Sequence, residues 1–284
     1  MILNASGCLD ALTAPKVARR LDAYVAKTIT LQPRLGNSQP RLAETDFGML
    51  NSIGLQNPGV ERFCTEVLPR LEELEIPLWI SVGGSDVAEY AQVCERIAEP
   101  ESVSALELNL SCPNVAPAAA GAAEIVTACR AVTGKPLYTK LSPLLPDIAE
   151  VAVTVIEAGA SGLSLVNSLR GLVLDDWTLE PRLGRAVGGY SGAALRPVAL
   201  AAVFLSYEAT KGKVPIVGMG GVQNGKQALD LIAAGASDVA LGSILFADLE
   251  APERVRAELD EEARARGFER PEKARGAAHG PRSA

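Results

Sequence analysis

Eight short apolar runs recur along the chain, each separated from the next by a stretch that can form a helix, and this alternation constrains the fold more than any other feature. The runs are "ILNAS" (2–6), "AYVAKT" (23–28), "PLWISVG" (77–83), "ALELNL" (105–110), "PLYTKL" (136–141), "GLSLVN" (162–167), "VPIVGMG" (214–220) and "DVALGS" (238–243). Amphipathic helical segments fall between them at 61–75, 86–98, 122–132, 147–158, 193–209 and 225–234. Strands that are apolar throughout are buried on both faces, the condition of a parallel sheet covered by helices. Eight such units over roughly 250 residues fit a single (β/α)8 TIM barrel, here spanning residues 1–263. An open, doubly wound α/β sheet is the competing architecture.

Two stretches interrupt the alternation, 29–60 and 168–192. They read as long loops after the second and sixth strands. Loops of that length in a compact domain are usually functional or disordered, and after barrel strands they would build up the active-site face. The first strand begins almost at Met1, without the lead-in that such barrels commonly carry.

The chain has 284 residues, 48% hydrophobic and 21% charged, with a net charge of −7. That balance suits a soluble enzyme-sized domain and argues against a general nucleic-acid binder. Residues 264–284, "RARGFERPEKARGAAHGPRSA", carry +4 and leave −11 on the remainder. With little to bury, this segment is expected to be a disordered C-terminal tail. No run reaches the length of a membrane span and no signal peptide opens the chain, so a cytoplasmic protein is expected. Five scattered cysteines, Cys8, Cys64, Cys94, Cys112 and Cys129, form no C-x-x-C pair, and neither a disulfide framework nor a metal centre is expected.

The single histidine, His279, lies in the tail, which removes Ser-His-Asp and Cys-His catalysis. Chemistry then falls to Cys, Lys, carboxylates, amides or a cofactor. Polar residues gather where the strands end: Ser6, Lys27–Thr28, Asn109 with Cys112, Lys140, Asn167–Ser168, Gly220–Gly221 and Gly242–Ser243. A lysine ending one strand is ordinarily a snorkelling side chain, but a barrel would bring this whole set to one mouth. The glycines of "GMGGV" and "ALGSILF" would let backbone N–H groups approach an anion, the common barrel phosphate site. The plain alternative for them is tight turns. Cys112, in "LNLSCPN", is either a buried small residue or a reactive thiol at a strand mouth. No G-x-G-x-x-G follows a strand, so no Rossmann site for a nicotinamide cofactor is expected.

Taken in order, "KTITLQPRLGNSQPR", "NSIGLQNPG", "LNLSCPN", "TKLSP", "GLSLVNS" and "IVGMGGV" resemble the class 1 dihydroorotate dehydrogenases over residues 2–250. "KTIT" and "NSIGLQNPG" place the likeness closest to the NAD-linked (class 1B) catalytic subunits. The resemblance implies FMN-dependent oxidation of (S)-dihydroorotate to orotate in pyrimidine biosynthesis. It implies FMN contacts at Ser6, Lys27, Thr28, Asn109, Lys140, Val166, Gly192, Gly220, Gly221, Gly242 and Ser243. It implies substrate contacts at Lys27, Asn51, Ser52, Ile53, Gly54, Leu55, Asn109, Asn167 and Ser168, with Cys112 as catalytic base and no metal. The partners implied are a second barrel, as a homodimer, and an FAD and iron–sulfur electron-transfer subunit, with neither nucleic acid nor membrane. Two departures accompany it: "VAPAAAGAAEIV" after "SCPN" is shorter than the family pattern, and "GGYSGAALRP" replaces "GGLSGPAIKP". The alternatives are a related flavin barrel acting on another dihydropyrimidine, and a non-catalytic flavin- or phosphate-binding barrel.

Overall fold

The computed structural model describes residues 1–110 and 119–280. Along the chain, β1 (Ile2–Asn4) and β2 (Tyr24–Ile29) precede β3 (Leu42–Thr45) and β4 (Gly48–Asn51). Next come β5 (Leu78–Val82), β6 (Val103–Asn109), β7 (Leu137–Leu141) and β8 (Gly162–Leu165). After β9 (Leu169–Leu172) and β10 (Val187–Gly192), the chain ends its strands with β11 (Ile216–Met219) and β12 (Asp238–Leu241). Eight of these form one sheet in the order β1-β12-β11-β8-β7-β6-β5-β2, every pairing parallel. All eight expected strands are therefore present, and the sheet is a barrel rather than an open layer.

The seam between β1 and β2 is closed by a side chain. One bridge joins Leu3 to Ala23. Beyond it, the Asn4 amide stands in for a backbone partner: its Nδ2 donates to the Val25 carbonyl at 2.8 Å, and its Oδ1 accepts from the Val25 N–H at 2.8 Å. Asn4 is completely buried, so an apolar residue there would leave both Val25 groups without a partner.

Side-chain alternation sorts each strand between two cores. Leu3, Ala23, Val25, Trp79, Ala105, Val217, Met219 and Ala240 fill the barrel interior. Trp79 and Tyr138 lie there with ring centroids 4.4 Å apart. The intervening residues, such as Ile80, Leu106, Leu108 and Leu163, meet the apolar faces of helices Val87–Ala98, Ala119–Val132 and Ile148–Glu157. Asp86, Asp147 and Asn224 each begin a helix by accepting the N–H of the residue three positions on.

The two long loops are not irregular. β3, β4, β10 and β9 pair as a separate four-stranded antiparallel sheet, in that order. Its strands come from both loops, joined where β4 meets β10. The pairing was hidden in the sequence because glycine and polar residues dominate these strands and the partners are distant in the chain. One face of the sheet carries a small core of Ala43, Leu50 and Leu183; the other faces the barrel mouth.

The expectation of a disordered tail from residue 264 is corrected. Helix Ala251–Ala265 continues through the boundary, and short helical turns follow at Pro271–Ala274 and Ala277–His279. Ala274 is buried. Arg275 donates to the Gly235 carbonyl at 3.0 Å and the Val214 carbonyl at 2.7 Å. His279 stacks on Phe204 at 3.9 Å, with Nε2 3.0 Å from the Ala234 carbonyl. Composition counted these as solvated charges. In fact they satisfy the Ala234 and Gly235 carbonyls left open at the end of helix Gly225–Ala234, and the Val214 carbonyl just before β11. Residues 281–284 lie outside the described residues.

Candidate active site

A cavity of about 800 Å³ opens at the carboxyl ends of the barrel strands, roofed by the inner face of the four-stranded sheet. Because every parallel strand ends on the same rim, residues from β1, β2, β6, β7, β8, β11 and β12 converge there. Ser6, Lys27, Thr28, Asn109, Lys140, Val166, Gly220, Gly242 and Ser243 line it, as do Asn51, Ser52, Ile53, Gly54, Leu55, Asn167 and Ser168. Gly192 and Gly221 do not. They pack together behind the wall, and a Cβ on Gly221 would lie 2.8 Å from the Gly192 carbonyl oxygen. Cys112 lies outside the described residues, within 111–118.

A relay of amides and hydroxyls crosses the floor. Asn167 Nδ2 donates to Asn109 Oδ1 at 3.1 Å, and Asn109 Nδ2 donates to Thr28 Oγ1 at 3.2 Å. Thr28 and Ser81 share a hydrogen bond of 3.0 Å, and the Ser168 N–H donates to Asn167 Oδ1 at 2.8 Å. The Tyr90 hydroxyl donates to the Asn109 carbonyl at 2.6 Å, which fixes the end of β6. Each amide is thereby held in one orientation, as recognition of a planar polar ring requires. On the opposite wall, Asn51 Nδ2 donates to the Gly189 carbonyl at 3.1 Å. Asn37 donates to the Ser52 carbonyl and hydroxyl, holding the segment 51–55 against the mouth. Gly54 turns there with φ 74°, and a Cβ would collide with Asn37.

The floor also carries charge. Lys140 is 5% exposed and its Nζ lies 3.6 Å from Glu107 Oε1, which is buried and accepts no hydrogen bond among the described residues. Burial pushes the Lys27 ammonium below its usual range, Lys140 acts in the same direction, and Cys8 opposes them. Burial raises the Cys8 thiol against the pull of Lys140 and Lys27. Gly220 adopts φ 128° and a Cβ would meet Ala199 at 2.8 Å, so only glycine brings that backbone to the wall. Around Gly242 the space is open, the nearest atom being 3.7 Å from a Cβ. Backbone without side chains at Gly220 and Gly242, in a cavity that a buried lysine also lines, fits an anionic group such as a phosphate.

Glu107, beside Lys140, and Cys8, Arg170 and Arg185, in the cavity lining, join the site beyond the residues expected from the sequence. Glu107 was legible, since a carboxylate inside an apolar strand two residues before Asn109 must share its face. The arginines were not, because a segment read as a loop over the active-site face carried no strand register to say which of its side chains line the mouth. Among the described residues no group of His, Cys, Asp or Glu is arranged to hold a metal, and no helix is long and apolar enough to cross a membrane.

Fold and site together define a (β/α)8-barrel protein whose mouth combines an anion cradle, buried lysines and a fixed amide surface. The family model described as dihydroorotate dehydrogenase matches residues 1–262. The chain is 44% identical over 278 residues to "Dihydroorotate dehydrogenase B (NAD(+)), catalytic subunit" of Latilactobacillus sakei, covering 93% of this chain and 89% of that protein. It is 41% identical over 266 residues to the protein of the same description from Desulforudis audaxviator, covering 91% and 86%. The chain belongs to the dihydroorotate dehydrogenase family. A solved structure of the Eimeria tenella dihydroorotate dehydrogenase in complex with ferulenol superposes with a TM-score of 0.83, 24% identity, and 99% and 85% of the two chains covered, a likeness of fold.

Proposed function

We propose that this protein is the catalytic subunit of an NAD-linked dihydroorotate dehydrogenase, oxidising (S)-dihydroorotate to orotate with FMN in pyrimidine biosynthesis. The observation that carries the reading is the pairing of an anion cradle and buried lysines with a fixed amide surface in one cavity of about 800 Å³. A flavin phosphate needs the first and a dihydropyrimidine ring the second.

The residues present fit FMN. Backbone at Gly220, Gly242 and Ser243 would receive its phosphate, with Gly192 and Gly221 supporting that wall from behind. Lys140 would sit at the ring edge where negative charge accumulates on reduction, with Ser6, Lys27, Thr28, Asn109 and Val166 around it. When bound, FMN supplies the acceptor for the hydride leaving substrate C6. The chain supplies the rest. Asn51, Asn109, Asn167 and Ser168 present donors and acceptors to the ring amides, and the segment 52–55 closes over them. Lys27 meets the carboxylate, an anion that restores the charge burial disfavours. Cys112 takes the C5 proton as thiolate; its ordinary pKa of ~8.5 lies close enough to neutral for modest local stabilisation to make it a base.

Electrons then pass to NAD⁺ through an FAD and iron–sulfur subunit bound to a homodimer of barrels. We place the enzyme in the cytoplasm, where Cys8, Cys64, Cys94 and Cys129, free in the structure, stay reduced. Anaerobic addition of dihydroorotate to the purified protein should bleach the yellow flavin absorbance. A yellow protein that does not bleach would remove the dehydrogenase reading, and a colourless one that cannot be loaded with FMN would remove the cofactor.

A further inference from the structure

The cavity wall has a charge composition opposite to that of the molecule. The chain holds 34 Asp and Glu against 27 Lys and Arg. The described residues lining the cavity include Lys27, Lys140, Arg170 and Arg185 but no carboxylate. The two lysines are explained by the groups they meet on the floor. The two arginines are not.

Arg170 reaches the cavity through sheet register. In the four-stranded sheet, Leu42 pairs with Asn51, Asn51 with Gly189, and Gly189 with Arg170. Directly paired residues of antiparallel strands project from the same face. Arg170 therefore stands on the row that carries Asn51, across Gly189, whose missing side chain makes room for the Ser168 hydroxyl, and all four members of the row line the cavity. Arg185 precedes β10 and lines the same cavity. Both arginines are exposed, and neither makes an ion pair or side-chain hydrogen bond among the described residues. Arg20, Arg96 and Arg254 each pair with a carboxylate here, whereas Arg170 and Arg185 face a cavity whose described lining offers none. Two guanidiniums with no ion pair among the described residues, on the rim of a cavity whose described lining holds no carboxylate, form a positive funnel on a molecule of net negative charge.

We propose that Arg170 and Arg185 are steering residues that draw the anionic substrate to the mouth and set its rate of encounter. The inference rests on the dihydroorotate reading, in which the substrate carries one carboxylate. A molecule of net charge −7 repels such an anion at long range. Local positive charge at the rim reverses that field where it matters, within about 10 Å at 0.1 M salt. Placement on the cavity row, rather than on the outer face of the sheet, favours the substrate over an acidic partner surface.

The test is stopped-flow, anaerobic reduction of the FMN-loaded protein by dihydroorotate across a range of ionic strength. The second-order constant of the unaltered protein should fall steeply as salt rises. In R170Q/R185Q it should start about tenfold lower at low salt and lose most of that dependence, with the loss concentrated in the second-order constant rather than the limiting rate. R170K/R185K should restore the slope, because the effect follows charge and not the guanidinium fork. A salt-independent constant in the unaltered protein, or an unchanged slope in R170Q/R185Q, overturns the proposal. An unchanged slope with weakened binding of the electron-transfer subunit would overturn it too and move the arginines to a protein interface. No reduction at any salt would instead remove the dihydroorotate reading, and this inference with it.

Discussion

The base proposed at Cys112 has no histidine to serve it, since the chain's single histidine, His279, stacks on Phe204 in the C-terminal segment. Cys112→Ala should keep FMN and bind orotate, yet reduce the flavin about 10² to 10⁴ times more slowly, as loss of a general base commonly does. Cys112→Ser should recover activity only at higher pH, because a hydroxyl is a far weaker acid. Near-normal reduction by Cys112→Ala in rapid-mixing measurements would return Cys112 to a packing role. Lys140 calls for a different probe. Removing it alone would leave Glu107 a buried carboxylate without its counter-ion, 3.6 Å from where the ammonium stood, and a broken buried pair is strongly destabilising. The double variant E107Q/K140M avoids that. It should fold, bind FMN more weakly, and show a lower flavin reduction potential in spectroelectrochemical titration, since reduced flavin would lose its neighbouring cation. An unchanged potential would place Lys140 away from the ring edge. At this scale the sequence was readable wherever a polar residue interrupted an apolar strand, as at Lys27, Asn109 and Lys140. It was silent on Arg170, whose meaning depends on a register set by strands more than a hundred residues away.

Among the elements, the barrel strands could be read from local pattern, because a strand covered on both faces must be apolar throughout and its neighbour is the next unit along. The antiparallel sheet could not, because Gly48, Gly171, Gly188 and Gly189 occupy positions where close approach matters more than hydrophobicity. A Cβ on Gly188 would lie 2.6 Å from the Asn51 carbonyl oxygen. The seam has the same non-local character: Asn4 looks like the polar end of a short strand until Val25 is seen beside it. Asn4→Leu should destabilise the protein by about 2–4 kcal/mol, the cost of leaving a buried N–H and carbonyl without partners, measurable as a lower denaturation midpoint. A variant as stable as the parent would mean that the Leu3–Ala23 bridge closes the barrel unaided. The C-terminal segment gives the complementary case. Arg275→Ala removes two charge-assisted hydrogen bonds to backbone carbonyls and should cost about 2–3 kcal/mol, while FMN content stays unchanged because the segment packs against helices Arg196–Ala209 and Gly225–Ala234 and lines no part of the cavity. Loss of flavin on this substitution would tie the segment to the site.

For the whole molecule, one cavity has to serve both halves of a redox cycle. In the proposed arrangement dihydroorotate would enter through the mouth roofed by the four-stranded sheet, where Asn51, Asn109 and Asn167 line the cavity. A second organic substrate would have to take turns there or be reached through another protein. The sequence shows no G-x-G-x-x-G turn after a barrel strand to equip it for the first course with NAD⁺, and the proposed flavin phosphate would occupy the backbone at Gly220 and Gly242. Nor do the scattered cysteines form a cluster among the described residues that could hold an iron–sulfur centre; Cys94 and Cys129 are buried in the core on helices Val87–Ala98 and Ala119–Val132. Electrons bound for NAD⁺ must therefore leave through a partner that brings its own carriers. The isolated chain should oxidise dihydroorotate with artificial acceptors or oxygen and reduce NAD⁺ barely at all. Addition of the cognate electron-transfer subunit should restore NAD⁺ reduction, read as growth of NADH absorbance in steady-state assays. Efficient NAD⁺ reduction by the chain alone would refute the division of labour, and rapid turnover with fumarate would assign the protein to the family's other branch.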